Sequence, residues 1–350
     1  MAAEHPRGPG HARPLLRLGA AHQRDPAGRA LGQRRDGLRP EAARPPRRAA
    51  PGRGTLAPSM PPRLGAFLAV VFWGLSFVAT KAALRELSPI TLIATRFALG
   101  LALLLALLRA RHVALLPPRD AWPALALMGF VGVFVHQLLQ SFALTMTGAI
   151  NAGWLIGLTP LWSAALSAWL LRERFPPAKV GGLALGFAGA ALVVTRGRLG
   201  AAGLAVPATR GDLLILVSTL NWAIYTVLGH PVLKRLGATR ATAGALLFGW
   251  LMLLPLFVVR GGWREYAGLS LAGWGAVLFL GIACSGLGYL FWYGALEKVP
   301  ASAVSALLYL EPLVTLAAGV ALLGEAVHLT TVAGGLMVLA GVFLVERAGS

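Results

Sequence analysis

From residue 60 onward the polar positions gather in short clusters, and between the clusters the chain is almost uninterruptedly apolar. The apolar runs begin near Gly65, Pro89, Ala121, Ala149, Ala178, Leu213, Ala241, Leu271, Ala301 and Thr330. A helix needs about 20 apolar residues to cross about 30 Å of hydrocarbon, and these runs come close to that length. The pattern therefore predicts ten membrane-spanning helices, with the fifth and tenth the shortest. The breaks carry Pro, Gly or charge, as in Pro117-Pro118-Arg119-Asp120 and Arg172-Glu173-Arg174-Phe175-Pro176-Pro177. They are too short to hold a soluble domain.

The pattern also repeats. Displaced by 152 positions without gaps, Trp122 to Val193 matches Trp274 to Val345 at 21 of 72 positions. The matches include Gly129/Gly281, Ala143-Leu144/Ala295-Leu296, Pro160-Leu161/Pro312-Leu313, Leu170-Leu171/Leu322-Leu323, Glu173/Glu325, Gly182/Gly334 and Gly189/Gly341. At a displacement near 149, Trp73 meets Trp222 and Leu84-Arg85 meets Leu233-Lys234. Residues 60–196 and 211–347 thus read as two five-helix units joined by a linker at 197–210. Five is odd, so units sharing a fold lie in opposite orientations across the bilayer, the inverted repeat that secondary transporters use around a central cavity. The fold expected is all-α and integral to the membrane.

Composition agrees. Of the 350 residues, 57% are hydrophobic and 13% charged, with a mean hydropathy of +0.69, against roughly 25% charged in a soluble domain. The net charge of +19 is unevenly spread. Residues 1–59 hold 12 Arg against 4 acids, leaving 20 Lys and Arg against 9 acids in the remainder. That first stretch has no apolar periodicity and almost no aromatics to stack bases, so it reads as a disordered basic arm or as sequence ahead of a start at Met60. Nucleic acid is not an expected partner. Assigning the loops alternately puts eleven basic residues on one side and six on the other, which places both termini in the cytoplasm. Cys284 is the single cysteine, which excludes an internal disulfide and a thiolate zinc site. Neither a metal nor a cofactor is expected.

The residues resemble the EamA family of the drug/metabolite transporter superfamily. The resemblance lies in Trp73-Gly74-Leu75-Ser76-Phe77 leading to Lys81, then Pro89 and Arg96-Phe97, Phe142-Ala143-Leu144, Leu158-Thr159-Pro160-Leu161 and Leu170-Leu171-Arg172-Glu173. The second half answers with Gly294-Ala295-Leu296, Pro300-Ala301, Leu310-Glu311-Pro312-Leu313 and Leu323-Gly324-Glu325. It implies a ten-helix inner-membrane carrier of small metabolites or amino acids, often outward, with its cavity between the halves.

Polar groups inside the spans are the candidate chemistry, because an ionisable side chain at the bilayer centre costs about 2.5 to 3.5 kcal/mol on insertion scales. Arg96 is too deep to snorkel; its planar fork suits a substrate carboxylate, or it pairs structurally. Lys81, near a span end, can snorkel. Glu311, directly before Pro312, is a candidate proton carrier or a partner of Arg96 or Lys81. His136 and Gln140 share a helix face and suit a cavity lining or packing. Asn151 and Trp154 open the fourth span, and Asn221, Trp222 and Tyr225 occupy the sixth. Ser285, Tyr289 and Trp292 form a stripe in the eighth, and Ser302, Ser305 and Tyr309 a similar one in the ninth, each either an aromatic wall for a solute or packing. Pro160 and Pro312 are candidate hinges or static kinks. Gly182, Gly186 and Gly189 suit close helix packing or a homodimer contact.

With no phosphate-cradling motif for ATP, the leading reading is a secondary exporter of amino acids or related compounds in the plasma membrane, working by alternating access and coupled to protons through Glu311. An integral-membrane enzyme on lipid-linked substrates, or a non-transporting receptor or scaffold, are the alternatives. The enzyme reading is the poorer because the chain has no close pair of acids, and short loops offer a protein partner little surface.

Overall fold

The computed structural model describes residues 60–110, 112–171, 176–198, 207–296, 298–299, 304 and 306–347. The arm at 1–59, Arg111, positions 172–175, the middle of the linker at 199–206, Glu297, Pro300, Ala301, Ser302, Ala303, Ser305 and positions 348–350 lie outside the described residues. Within them the chain is helical, with no strand.

Ten helices follow in order: α1 (Pro62–Ala83), α2 (Pro89–Ala110), α3 (Arg119–Met146), α4 (Ala149–Leu166), α5 (Pro177–Thr195), α6 (Pro207–Leu236), α7 (Ala238–Val259), α8 (Leu271–Ala295), α9 (Leu307–Leu323) and α10 (Leu329–Arg347). All but α9 contain a stretch long and apolar enough to cross a membrane. The short helix is therefore the ninth, whereas the pattern pointed to the fifth and tenth. Those two reach 19 residues each because α5 recruits Pro177 as its first residue and α10 runs on through Glu346 to Arg347.

Sequence punctuation explains the boundaries. Proline stands in the first turn of α1, α2, α5 and α6, where its missing N–H has no partner to lose and its fixed φ is already helical. Gly324 ends α9 in a left-handed conformation, φ +65°, which glycine adopts without a Cβ clash.

Two pairs of helices are irregular at matching places. A π-helical segment, Phe130–Val135, interrupts α3, and a longer one, Phe279–Gly288, interrupts α8; the displacement of 152 carries the first onto the second. Helix α4 breaks at Gly157 and Leu158 and resumes at Thr159, while α9 opens as a 3₁₀ turn, Ala306–Leu310, and becomes α-helical at Glu311. Thr159-Pro160 and Glu311-Pro312 each start the resumed segment. The rings sit where a proline removes no helical hydrogen bond, so both helices are discontinuous rather than kinked mid-run.

Packing between helices follows a regular plan. Helix α1 lies against α8 and α9, α6 against α3 and α4, α2 against α7 and α8, α7 against α3, and α5 against α10. The last pair runs antiparallel with the backbones nearly touching. A Cβ on Gly182 would stand 2.7 Å from the Gly341 carbonyl oxygen, and one on Gly189 only 2.4 Å from that of Gly334. These glycines are filled by the chain's own α10. Outward, the chain presents Leu271, Val259 and Leu329 at 91, 86 and 83% exposure, a surface suited to lipid rather than water.

Candidate functional site

The irregular segments and the aromatic residues converge. Trp73 of α1 and Trp222 of α6, equivalent under the repeat, stand on either side of Tyr289 of α8, with ring centroids 5.7 and 6.5 Å away. Trp73 also meets Trp292 at 5.3 Å, Trp222 meets Tyr225 at 4.9 Å and His136 at 4.8 Å, and Tyr289 meets Tyr293 at 6.2 Å. The result is a continuous aromatic wall from α3 through α6 and α8 to α1, crossing from one half of the chain to the other.

The π segments explain how this wall is held. A π turn re-aims the helix and shifts its backbone hydrogen bonds by one residue, as the His136 N–H does in reaching the Val131 carbonyl, and side chains from other helices add to them. In α3 the Val131 carbonyl accepts from Asn221 Nδ2 at 2.7 Å. In α8 the Cys284 carbonyl accepts from Trp73 Nε1 at 3.3 Å, and Cys284 Sγ donates to the Phe72 carbonyl at 3.2 Å. Each half's first helix thus supplies the donor for the other half's π segment. Glycines admit the rings: a Cβ on Gly132 would stand 2.4 Å from the Tyr225 ring, and one on Gly288 would be 3.0 Å from Trp73 Nε1.

Arg96 is the cation of this centre. It is 7% exposed, its Nε donates to Ser285 Oγ at 3.2 Å, and its guanidinium carbon stands 5.3 Å from the centre of the Phe97 ring. Among the described residues no carboxylate lies within 4 Å of it. His136 is 4% exposed, and its Nδ1 donates to the Ser218 carbonyl at 3.1 Å, which leaves Nε2 with the lone pair in the neutral ring. Glu311, half-buried at the start of the resumed segment of α9, forms no ion pair with Arg96 or Lys81. Its backbone carbonyl accepts from Thr315 Oγ1 at 3.0 Å, and the same hydroxyl reaches the Gly74 carbonyl of α1 at 2.8 Å. Ser163 makes the matching bond to the Thr159 carbonyl at 3.1 Å in α4.

The structure brings Arg96, His136, Tyr225, Tyr289 and Trp292 together, with Asn221 supporting them from behind. Other expected residues lie elsewhere. Tyr309 donates to Glu346 Oε2 at 2.7 Å near the end of α10. Trp154 is packed against Gly335 of α10 and is 1% exposed. Gln140 is half-buried one turn beyond His136. Trp73 entered the sequence reading only as part of a motif, although its match to Trp222 in the repeat was already a sign of a shared position.

Asn151 belongs to a second polar cluster, where α1, α3 and α9 end and α4, α6 and α10 begin. Its Nδ2 donates to Asp212 Oδ2 at 3.3 Å, and its Oδ1 accepts from Thr331 Oγ1 at 3.3 Å. Thr147 Oγ1 donates to Asp212 Oδ1, while Lys81 Nζ donates to the Thr147 carbonyl and pairs with Glu325 Oε1 at 3.7 Å. Glu325 in turn accepts the first free N–H groups of α4, from Ala149 at 2.8 Å and Ile150 at 2.9 Å. Lys81 is thus held by protein, not snorkelled alone to an interface. The sequence reading did not single out Asp212, the lone acid of the sixth apolar run.

Beyond this cluster the loops are clasped reciprocally. Glu265 accepts from the backbone N–H and hydroxyl of Ser88 and from Thr91 Oγ1, at 2.7 to 2.8 Å, and Glu86 accepts from the N–H and hydroxyl of Ser270 at 2.7 Å. Those two bonds hold the Glu86 carboxyl below its usual range.

Comparison with known proteins follows the same division into halves. The EamA-like transporter family matches residues 61–195 and again 209–347. A transporter of Archaeoglobus fulgidus without an assigned substrate is 34% identical over 284 residues, covering 80% of this chain and 96% of its own. A "Probable terminal-alkyne amino-acid exporter" of Streptantibioticus cattleyicolor is 29% identical over 227 residues, covering 64% of this chain and 73% of its own. A solved crystal structure superposes on 82% of this chain and 98% of its own with a TM-score of 0.59 at 23% identity, a likeness of fold.

Proposed function

Because this chain belongs to the EamA-like transporter family, whose members compared above are named transporters and not enzymes, we propose that it is a secondary carrier exporting amino acids or related metabolites by alternating access. In this reading α9 completes ten spans, residues 60–196 and 211–347 form two inverted halves, and both termini face the cytoplasm across the plasma membrane. Four observations support the inverted arrangement. Gly182 meets Gly341 while its repeat partner Gly334 meets Gly189, α5 and α10 run antiparallel, π segments match in α3 and α8, and α4 and α9 break at matching places. A two-fold axis in the membrane plane generates all four.

The observation that carries the transport reading is Arg96. A guanidinium has five N–H donors in a planar fork, and here one of them reaches Ser285 while no carboxylate is close. That leaves a buried fork free for a bidentate grip on a carboxylate. The wall of Trp73, Trp222, Tyr289 and Trp292 takes the solute's apolar part, with His136 and Tyr225 at its edge. Glu311, carrying no ion pair, is the proton carrier, and the breaks at Pro160 and Pro312 are the hinges. The exporter name of the Streptantibioticus relative favours an amino-acid-like cargo.

An untargeted mass comparison of spent medium tests this, using cells that make the parent protein and cells that make Arg96→Ala at matched membrane levels. A solute enriched outside only with the parent supports export through Arg96. Equal enrichment in both removes Arg96 from the path. For the proton step, Glu311→Gln is expected to keep exchange of preloaded solute and to lose gradient-driven transport, and full gradient-driven transport in that variant sinks the coupling.

A further inference from the structure

We infer that the cluster of Lys81, Glu325, Thr147, Asp212, Asn151 and Thr331 is a latch that seals one mouth of the transport path and must part for that mouth to open. The inference rests on the alternating-access reading above. The cluster ties six helix ends, α1, α3 and α4 from the first half and α6, α9 and α10 from the second, so no relative tilt of the halves can open this end with it intact.

Its construction separates a fixed part from a movable one. Asp212, Thr331, Thr147 and Asn151 are 0, 1, 2 and 6% exposed and their side chains bond to one another, a buried base in which the Thr147, Asn151 and Thr331 donors each have an acceptor. Lys81 and Glu325 lie above it with side chains 28 and 16% exposed, paired at 3.7 Å. A lysine on a flexible stem at the water boundary can exchange its carboxylate and carbonyl for water, whereas the buried Asp212 cannot. Lys81 is bonded to the Thr147 carbonyl, and the Thr147 hydroxyl is bonded to Asp212. Withdrawal of Lys81 therefore loosens the base as well as the pair.

The repeat gives an internal control. Were the cluster mere scaffolding of a symmetric fold, its counterparts would rebuild it at the opposite end. The residues equivalent to Asp212, Lys81, Thr147 and Asn151 are Arg63, His230, Val299 and Ala303. Arg63 is exposed, and valine and alanine have no side chain to hydrogen-bond. Thr331 corresponds to Lys179, and of the six positions only Glu325 keeps its residue type, as Glu173, so the two mouths are built of different residues, the asymmetry that a carrier with a preferred resting state needs.

Cysteine accessibility reads the latch without any substrate, so a failed latch and a failed transport reading give different results. In a Cys284→Ser background, which removes the chain's one native cysteine, Val78→Cys places a thiol one turn below Lys81, and Ala295→Cys places one in α8 at the opposite end. Both positions are buried, at 4 and 0% exposure. The protein in nanodiscs is treated with a polar maleimide. Adding Lys81→Met is expected to raise the labelling rate at position 78 about tenfold while the rate at position 295 does not rise, as a shift toward the open mouth requires. Glu325→Gln is expected to do the same, and Lys81→Arg to keep the parent rate. An unchanged rate at position 78, or an equal rise at both positions, overturns the latch.

Discussion

Two cations are placed inside this membrane fold, and they are treated in opposite ways. Lys81 has a carboxylate and a backbone carbonyl as partners. Arg96, the more buried of the two, has one hydroxyl and stands 5.3 Å from the centre of the Phe97 ring. A fold that can build a Lys81 cluster can satisfy a buried charge, so the sparse environment of Arg96 is not a limit of the architecture, and it agrees with the binding role proposed for it. The protein spends its hydrogen-bonding partners at the end and withholds them at the centre. Binding sites in bundles are made this way, with a few converging polar groups in an apolar surround.

The largest expected effect tests the centre. Arg96→Ala removes the fork, and a hydrogen bond to a charged group is worth about 1.5 to 3 kcal/mol, so transport should fall roughly 10- to 150-fold with the protein still folded. Solute flux in proteoliposomes, against thermal unfolding of the same sample, reads both. If flux and folding fall together, Arg96 is satisfied by packing after all, and the contrast with Lys81 dissolves.

Next comes Asp212→Asn, which tests the end. The amide has one oxygen and cannot accept from both Thr147 and Asn151 as the two carboxylate oxygens do. A loss of about 1 to 3 kcal/mol in stability is expected, the cost of leaving a buried donor unpaired. Gly132→Ala gives the matching perturbation at the centre, because its Cβ would stand 2.4 Å from the Tyr225 ring. Overpacking of that kind costs about 1 to 3 kcal/mol, and it should also depress flux by displacing Tyr225 from Trp222. Equal flux in Asp212→Asn and Gly132→Ala at equal stability would erase the functional distinction between the two regions.

How much of this was legible beforehand differs between the same two regions. The apolar runs and their repetition follow from run length and self-similarity, both linear in sequence, although the ninth run forms a helix shorter than the others, and Arg96, His136, Tyr225 and Tyr289 stood out because a polar or aromatic group in an apolar run needs a reason. Two features were hidden. The π segments leave no compositional trace: Phe130 to Val135 reads as ordinary apolar helix, and only the three-dimensional bond from Asn221 to Val131 reveals the extra residue in the turn. The Lys81 cluster was missed because its members are single polar residues at the ends of six separate helices. Such positions look like span boundaries, and only the fold brings them together. Tyr309 shows the reverse case, since its stripe position left a solute wall and packing both open and its hydroxyl is bonded to Glu346.

A smaller effect is expected from Trp73→Phe, which keeps the ring and deletes the donor to the Cys284 carbonyl. The net worth of one such bond is about 1 kcal/mol, so unfolding should shift by that amount while Asn221→Leu, removing the equivalent donor from the other half, shifts it similarly. If Trp73→Phe also alters which solutes are carried and Asn221→Leu does not, the indole faces the cargo and the two halves contribute unequally to the centre.

The smallest effect lies outside the membrane and concerns the clasp beyond the Lys81 cluster. Glu86 is held below the usual carboxylate range by the N–H and hydroxyl of Ser270. A carboxyl whose value is lower when folded contributes stability above its unfolded value and loses it as pH falls through the folded one. The clasp should therefore be intact at neutral pH and loosen only in acid. Glu86→Gln should abolish that acid sensitivity and leave the neutral-pH unfolding temperature almost unchanged, because the group is exposed and water competes for it. Maleimide labelling at position 78 in the same variant decides whether the clasp belongs to the latch. An unchanged rate makes the α1–α2 and α7–α8 loops a fixed rim around a movable closure, and a raised rate makes rim and closure a single unit.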